Sequence, residues 1–318
     1  MAPYTTPASD LQAPCEPAPG AIEPKDRWSA CHDRHPRHPD FRRLHRRAEP
    51  LRIRQRGLSA PLDQSGAQAE RGAALVTGAG RRIGRTIALT LAAAGFDILV
   101  HHHRSAEDAG AVCEAVRALG RRARVVSADL GDETETLALV AAGADLGPIT
   151  ALVNNASVFE DDALPTLTPD SWRRHMDINL RAPVLLSQAF AAALPDGQSG
   201  AIVNMLDQRV LRPSPHFFSY SLSKAALWSA TRTLAQALAP RIRVNGVGPG
   251  PTLASVHQSP ADFAAEAGAV PLGRGATPAE IAAAVLYLID APSVTGQMIA
   301  VDGGQHLDWR TPDLIDPA

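Results

Sequence analysis

The sequence predicts an α/β fold in which a doubly wound parallel sheet carries helices on both faces. Three observations predict it. Seven short apolar runs, most of them rich in β-branched residues, recur from residue 73 onward. Ala/Leu-rich stretches of helical length separate most of them. The runs are apolar without strict alternation, as in strands buried on both faces. In order, A-A-L-V-T (73–77) feeds a helix at 83–95, and D-I-L-V-H (97–101) feeds one at 105–119. A-R-V-V-S (123–127) leads to a helix at 133–143, I-T-A-L-V-N (149–154) to a long one at 170–194, and A-I-V-N-M (201–205) to one at 218–239. I-R-V-N-G-V (242–247), a helix at 278–289 and M-I-A-V-D (298–302) complete the series. The stretch 250–275, rich in Pro, Gly and Ala, reads as a loop that flanks a site and closes over substrate. No internal repeat appears, so residues 71–318 form one domain.

Composition narrows the function. The chain has 318 residues, 45% hydrophobic and 20% charged, with a net charge of −2. That supports one large core and gives no global field favouring nucleic acid or membrane. Cys15, Cys31 and Cys113 make no CxxC pair and read as free thiols in a reducing compartment. No apolar run approaches the roughly 18–20 residues of a membrane span, and no h-region opens the chain, so a cytoplasmic location is expected. Residues 1–70 hold ten of the 26 prolines and the run R-H-P-R-H-P-D-F-R-R-L-H-R-R. They read as a disordered Pro/Arg-rich extension, or as the product of a start codon assigned upstream of the true one. They carry 11 basic and 9 acidic residues, leaving 20 against 24, a net of −4, for residues 71–318.

The first strand runs into T-G-A-G-R-R-I-G, with Gly78, Gly80 and Gly84 ahead of a helix. Glycines at such a turn let the backbone approach a pyrophosphate, and the helix N-terminus offers N–H donors and partial positive charge. The second strand ends H-H-H-R-S, with no acid for a ribose diol. Arg104 and Ser105 suit a 2′-phosphate instead, so the expected cofactor is NADP(H). The three His alternate faces along a strand and cannot converge on a metal. Asp129 reads either as a contact to the adenine edge or as a helix cap. Asn154 and Asn155 either steady the loop beneath the cofactor or form a turn. Tyr220 and Lys224, four residues apart, share one helix face. The ammonium favours the phenolate and so lowers the phenol pKa. Asp207 stands thirteen positions before Tyr220. A hydroxyl there would suit a carbonyl oxygen, whereas a carboxyl can carry a proton to the nitrogen of a C=N bond.

Together these motifs resemble the short-chain dehydrogenase/reductase family, over about residues 72–305. The resemblance rests on T-G-x-x-x-x-x-G (77–84), N-N-A (154–156), Asn179, Tyr220 with Lys224, N-x-x-x-P-G (245–250) and V-D-G-G (301–304). The family usually has glycine where this chain has Arg82, and a catalytic serine where it has Asp207. R-I-G, H-H-H-R-S, N-N-A-S and N-M-L-D all resemble the branch of pteridine reductases and bacterial dihydromonapterin and dihydrofolate reductases. The resemblance implies a Rossmann-type fold and catalysis by Asp207, Tyr220, Lys224 and Asn179, with Asn179 holding a water that links Lys224 to solvent. It implies cofactor contacts from Gly78, Gly80, Arg82, Ile83, Gly84, His103, Arg104, Ser105, Asp129, Leu130, Asn154, Ala156, Lys224, Pro249, Gly250 and Thr252. It also implies substrate contacts from Arg82, Ser157, Phe159 and Tyr220, with Phe159 covering one face of a pterin. A homotetramer or homodimer through the helices near 170–194 and 218–239 is a further implication, as is a reach of His306 or Trp309 toward a neighbouring subunit. At the level of sequence two other functions stay open: a reductase of a ketone, sugar or acyl thioester, and a non-catalytic NADP(H) sensor.

Overall fold

The computed structural model describes residues 71–255 and 258–309. The Pro/Arg-rich stretch 1–70, with Cys15 and Cys31, lies outside the described residues. Within them, strands β1 (Ala73–Val76), β2 (Asp97–His102), β3 (Ala123–Ser127), β4 (Ile149–Asn154), β5 (Gly200–Met205), β6 (Ile242–Pro249) and β7 (Met298–Val301) form one sheet. Every pairing is parallel, and the order is β3-β2-β1-β4-β5-β6-β7. The helices are α1 (Arg82–Ala93), α2 (Ala106–Ala118), α3 (Glu133–Ala141), α4 (Pro169–Met176), α5 (Ala182–Ala193), α6 (Phe218–Leu238), α7 (Pro260–Gly268) and α8 (Pro278–Asp290).

Alternate strand residues feed two cores. Val76, Ile98 and Val100 pack with Ile87 of α1, Val112 of α2 and Val285 of α8. Leu75, Leu99 and Leu152 point the other way, to Leu139 of α3 and to Leu186 and Phe190 of α5. Fully burying one such side chain stabilises by about 1.5–3 kcal/mol, and the central strands β1, β2, β4 and β5 are covered on both faces, whereas β3 at the sheet edge is largely exposed. β1 and β4 are neighbours in space but not in sequence. The chain winds outward from them in both directions and leaves a crevice at their carboxyl ends, where doubly wound sheets bind ligands.

Two segments differ from the sequence expectation. The helix expected over 170–194 is broken by a π turn, Asp177–Arg181, between α4 and α5. Pro183 has no N–H to close a turn onto the carbonyl four residues back, and the preceding turn is the wide one. Inside the expected loop 250–275, α7 forms behind a reciprocal cap: Asp262 N–H donates to Ser259 Oγ (3.1 Å) and Ser259 N–H to Asp262 Oδ2 (3.3 Å). Pro260 at its first position fits a helix start. No helix among the described residues is long and apolar enough to cross a membrane.

Candidate active site

The turns that follow β1, β2 and β4 are laced together. Thr77 Oγ1 accepts from the N–H groups of Asn155 and Ala156, both at 2.9 Å. Asn155 Nδ2 donates to Thr77 O at 2.8 Å. Gly78 N–H donates to His101 Nδ1 at 3.1 Å, so that nitrogen carries no proton. The ring proton sits on Nε2 and points at Ala128 O, 3.1 Å away. Burial pushes the His101 pKa down to about 4. Between that value and about 6.5 only the unfolded chain takes up the proton, so stability is lost as pH falls through this window, by up to about 3 kcal/mol. Thermal melts from pH 7 to pH 4 should therefore show a steeper fall for the native chain than for His101→Leu; equal slopes would contradict the neutral, buried imidazole.

Glycine at two turn positions is enforced by close approach. A Cβ on Gly84 would lie 2.2 Å from Gly78 O, because the first turn of α1 rests on the glycine turn. At Gly80 a Cβ would meet Ser105 Oγ at 2.9 Å. That glycine serves the packing of the turn against Ser105 and the start of α2 and stands outside the residues that line the crevice. Arg82 follows in a left-handed conformation, φ 51°, which costs a non-glycine residue about 1–2 kcal/mol. Its guanidinium donates to Ala254 O (2.8 Å) and Leu253 O (3.1 Å), strapping the start of α1 to the segment after β6. The first turn of α1 contains no acid. With Arg81 and Arg82 flanking it, the helix N-terminus suits an anionic ligand.

The crevice has two connected cavities. Arg82, Ile83, Asn155 and Ser157 line both. The outer one is completed by Gly78, Gly84, His103, Asp129, Leu130 and Ala156. The inner one runs past Phe159, Pro249, Gly250 and Thr252 to Asp207, Tyr220 and Lys224. Asp207, just beyond β5, and Tyr220, in the first turn of α6, meet there: Tyr220 OH donates to Asp207 Oδ2 at 2.8 Å. The phenol pKa is raised well above its usual value, by burial and by the adjacent carboxylate. This corrects the expectation that Lys224 would lower it. The ammonium lies 5.7 Å from the Tyr220 ring centroid and donates to Met205 O at 2.8 Å, and burial lowers the Lys224 pKa to about 8.

The family model described as enoyl-(acyl carrier protein) reductase matches residues 78–306. The chain belongs to the short-chain dehydrogenase/reductase family. The 3-oxoacyl-[acyl-carrier-protein] reductase FabG of Aggregatibacter actinomycetemcomitans is 37% identical over 235 residues, 72% of this chain and 97% of that protein. An oxidoreductase of Methylorubrum extorquens is 38% identical over 240 residues, 73% of this chain and 96% of that one. Among solved structures, FolM alternative dihydrofolate reductase 1 from Brucella canis, complexed with NADP, is 48% identical with a TM-score of 0.75; the match covers 78% of this chain and 98% of that chain. The Brucella suis protein, also with NADP, is 48% identical with a TM-score of 0.74.

Several residues take places other than those expected from the sequence. Asn179, in the π turn, is fully buried. Its Oδ1 accepts from Val158 N–H (2.8 Å) and Ser157 Oγ (3.1 Å), and its Nδ2 donates to Val158 O (2.9 Å) and Ser223 Oγ (3.1 Å). All four hydrogen-bonding positions of the amide are used, so the side chain has none left for the expected water; it ties the 157–158 turn to α6. Asn154 turns into the core, donating to Asn204 Oδ1 at 2.8 Å, and Asn155 steadies the crevice in its place. The cap of α3 is Asp132, not Asp129. Asp129 instead accepts from Gly131 N–H and faces His103 at 3.7 Å. Arg104 is exposed, Ser105 precedes α2, and neither lines the crevice. His306 pairs with Asp302 of its own chain at 2.6 Å, and Trp309 is exposed.

Arg209 was not foreseen. Its Nη1 lies 3.3 Å from Asp207 Oδ2, and its guanidinium sits over the rings of Phe159 (5.7 Å) and Phe217 (5.4 Å). Those rings stack at 4.2 Å, and Phe217 holds a left-handed φ of 53°. The D-x-R spacing is the only sequence trace of this arrangement, and an exposed arginine would look the same.

Proposed function

We propose that the protein is an NADPH-dependent reductase acting on the C=N bond of a reduced pterin or dihydrofolate-type heterocycle. The carrying observation is the hydrogen bond from Tyr220 to the carboxylate of Asp207 at the inner end of the crevice. A carboxylate beside a developing alkoxide would repel it, whereas the same group can receive the phenol proton and pass it to a ring nitrogen. The FolM dihydrofolate reductases with NADP support both substrate class and cofactor. The dinucleotide would lie along the outer cavity, over the turn of Gly78 and Gly84 and beside Ile83, Leu130 and Ala156, with Arg82 at its phosphates. Its 2′-phosphate end would meet His103 and reach past the outer cavity to Arg104 and Ser105 on the turn after β2, and Pro249, Gly250 and Thr252 would border its nicotinamide end. When bound, it supplies the hydride.

The chain's own residues handle the proton. As the hydride arrives and the substrate nitrogen becomes basic, the phenol proton of Tyr220 passes through Asp207 to that nitrogen in one concerted movement, so the carboxyl never holds it against the raised phenol pKa. The phenolate left behind faces Lys224 and Arg209 and is refilled from solvent. Phe159 offers the flat surface, and Ser157 and Arg82 the polar contacts, for the heterocycle. An assembly of two or four copies belongs to the same reading; the apolar groove of Leu180, Val184, Ala226, Ala230 and Leu234 between α5 and α6 supports it.

The direct test follows nicotinamide absorbance with NADPH or NADH and a 7,8-dihydropterin, dihydrofolate or a 3-oxoacyl thioester. Oxidation of NADPH by the first two is expected. Turnover of the thioester alone would replace this reading with a ketoreductase. Lys224 adds a pH signature. It is charged below about pH 8 and neutral above, so kcat/KM should fall as pH rises past that value. In Lys224→Arg, where the charge persists, the limb should vanish even if the rate is lower.

A further inference from the structure

A cluster of polar side chains is buried beside the phenol and takes no part in the chemistry above. Ser219 and His175 are fully buried and Asp162 is 6% exposed. Asp162 caps α6 from outside the helix. Its Oδ1 accepts from Ser219 N–H (2.9 Å), its Oδ2 from the Ser219 hydroxyl, and its backbone carbonyl from Phe218 N–H (3.0 Å). The helix needs this, because the residue at its own cap position, Phe217, has no side-chain oxygen. Asp162 Oδ2 also accepts from the Ser171 hydroxyl of α4.

The direction of the remaining bonds follows from one donor. Glu160 N–H points at His175 Nε2, 3.2 Å away, so that nitrogen is bare and the proton is on Nδ1. Nδ1 lies 2.7 Å from Ser219 Oγ and donates to it. The serine hydroxyl has one proton, which goes to Asp162. The chain therefore runs His175 to Ser219 to Asp162 with every member satisfied. No Lys or Arg pairs with Asp162 among the described residues. Burying a carboxylate on hydroxyl and amide donors alone is a costly way to build a core, so its place in the fold points to what it holds.

It holds two things. Glu160 follows Phe159, whose ring meets Tyr220 edge-on at 4.7 Å, and Ser219 precedes Tyr220. We propose that Asp162, His175 and Ser219 are positioning residues that keep the Phe159 ring and the Tyr220 phenol in register for the substrate, acting through those two side chains without touching it. This rests on the reductase reading above. The decisive variants are Ser219→Ala, which breaks the chain at its centre, and His175→Asn, whose amide can still donate to Ser219 but cannot reach Glu160. His175→Asn should raise KM for the dihydropterin about tenfold, the weight of one buried hydrogen bond, with kcat near native. Ser219→Ala should lower kcat as well. Affinity for NADPH should hold within about twofold in both, since none of the three residues lines the outer cavity. Hydrogen exchange, which needs no turnover, should quicken at 159–163 and 217–221 in Ser219→Ala and stay native at 77–84. Native kinetics and exchange in both variants, or an exchange increase spread over the whole fold, would overturn the proposal. A native chain that does not reduce the dihydropterin would remove the reductase reading, and the exchange result would still decide whether this network holds the two rings.

Discussion

Asp207→Asn is expected to lower kcat for a dihydropterin by roughly 10²–10⁴-fold, the usual weight of general acid catalysis, while NADPH binds as before. An amide keeps the size and can still receive the Arg209 N–H that caps Asp207 Oδ1 at 2.8 Å. It cannot accept the phenol proton and pass it on. The affinity should hold because Asp207 lines the inner cavity and not the outer one. Stopped-flow hydride transfer alongside nucleotide titration separates the two effects. Full turnover by Asp207→Asn would leave Tyr220 as sole donor and end the relay.

Gly84→Ala is the second large effect, and it runs the other way, striking binding before chemistry. The added methyl would sit 2.2 Å from Gly78 O and 2.5 Å from Asn155 Nδ2. The first contact is backbone, so the turn or α1 must move. Overpacking of this kind costs about 1–3 kcal/mol, and a displaced set of N–H donors should weaken NADPH by roughly 10- to 100-fold. Gly80→Ala is the control. There the shortest contact is Ser105 Oγ at 2.9 Å, which can rotate away, and the nearest backbone atom, Ala109 N, is at 3.3 Å against 2.2 Å for Gly84, so the loss of affinity should be clearly smaller. Fluorescence titration of both variants ranks them; equal losses would mean that the crevice tolerates movement of the turn.

The central strands were legible because both of their faces are buried, so apolar runs marked them directly, and the exposed edge strand β3 was marked by its two valines. The Asp207–Tyr220 pair was legible because a carboxyl stands at one position of a short motif that ends in the Tyr and Lys, and the two side chains do meet. The direction of the phenol pKa was not: sequence spacing puts Lys224 near Tyr220, but burial and the carboxylate outweigh it. His101 was hidden for a different reason. Alternation along β2 separates the three His without saying that one meets the glycine turn through a backbone N–H. Arg209 and the Asp162 network depend on contacts between distant segments, which no local pattern records. The capping signal S-P-A-D of α7 was present and was outweighed by the small residues around it.

The π turn at Asp177–Arg181 amounts to one surplus residue in the phase of a long helix. Each helical residue advances the facing direction by about 100°. Removing one residue there would restore a regular helix, yet swing Ser171 and His175 of α4 about a quarter-turn away from Asp162 and Ser219 while α5 kept its seat. The anchoring of the 157–158 turn by Asn179 and the anchoring of α6 by His175 coexist only with that extra residue. A change of length in this stretch would therefore cost one anchor or the other.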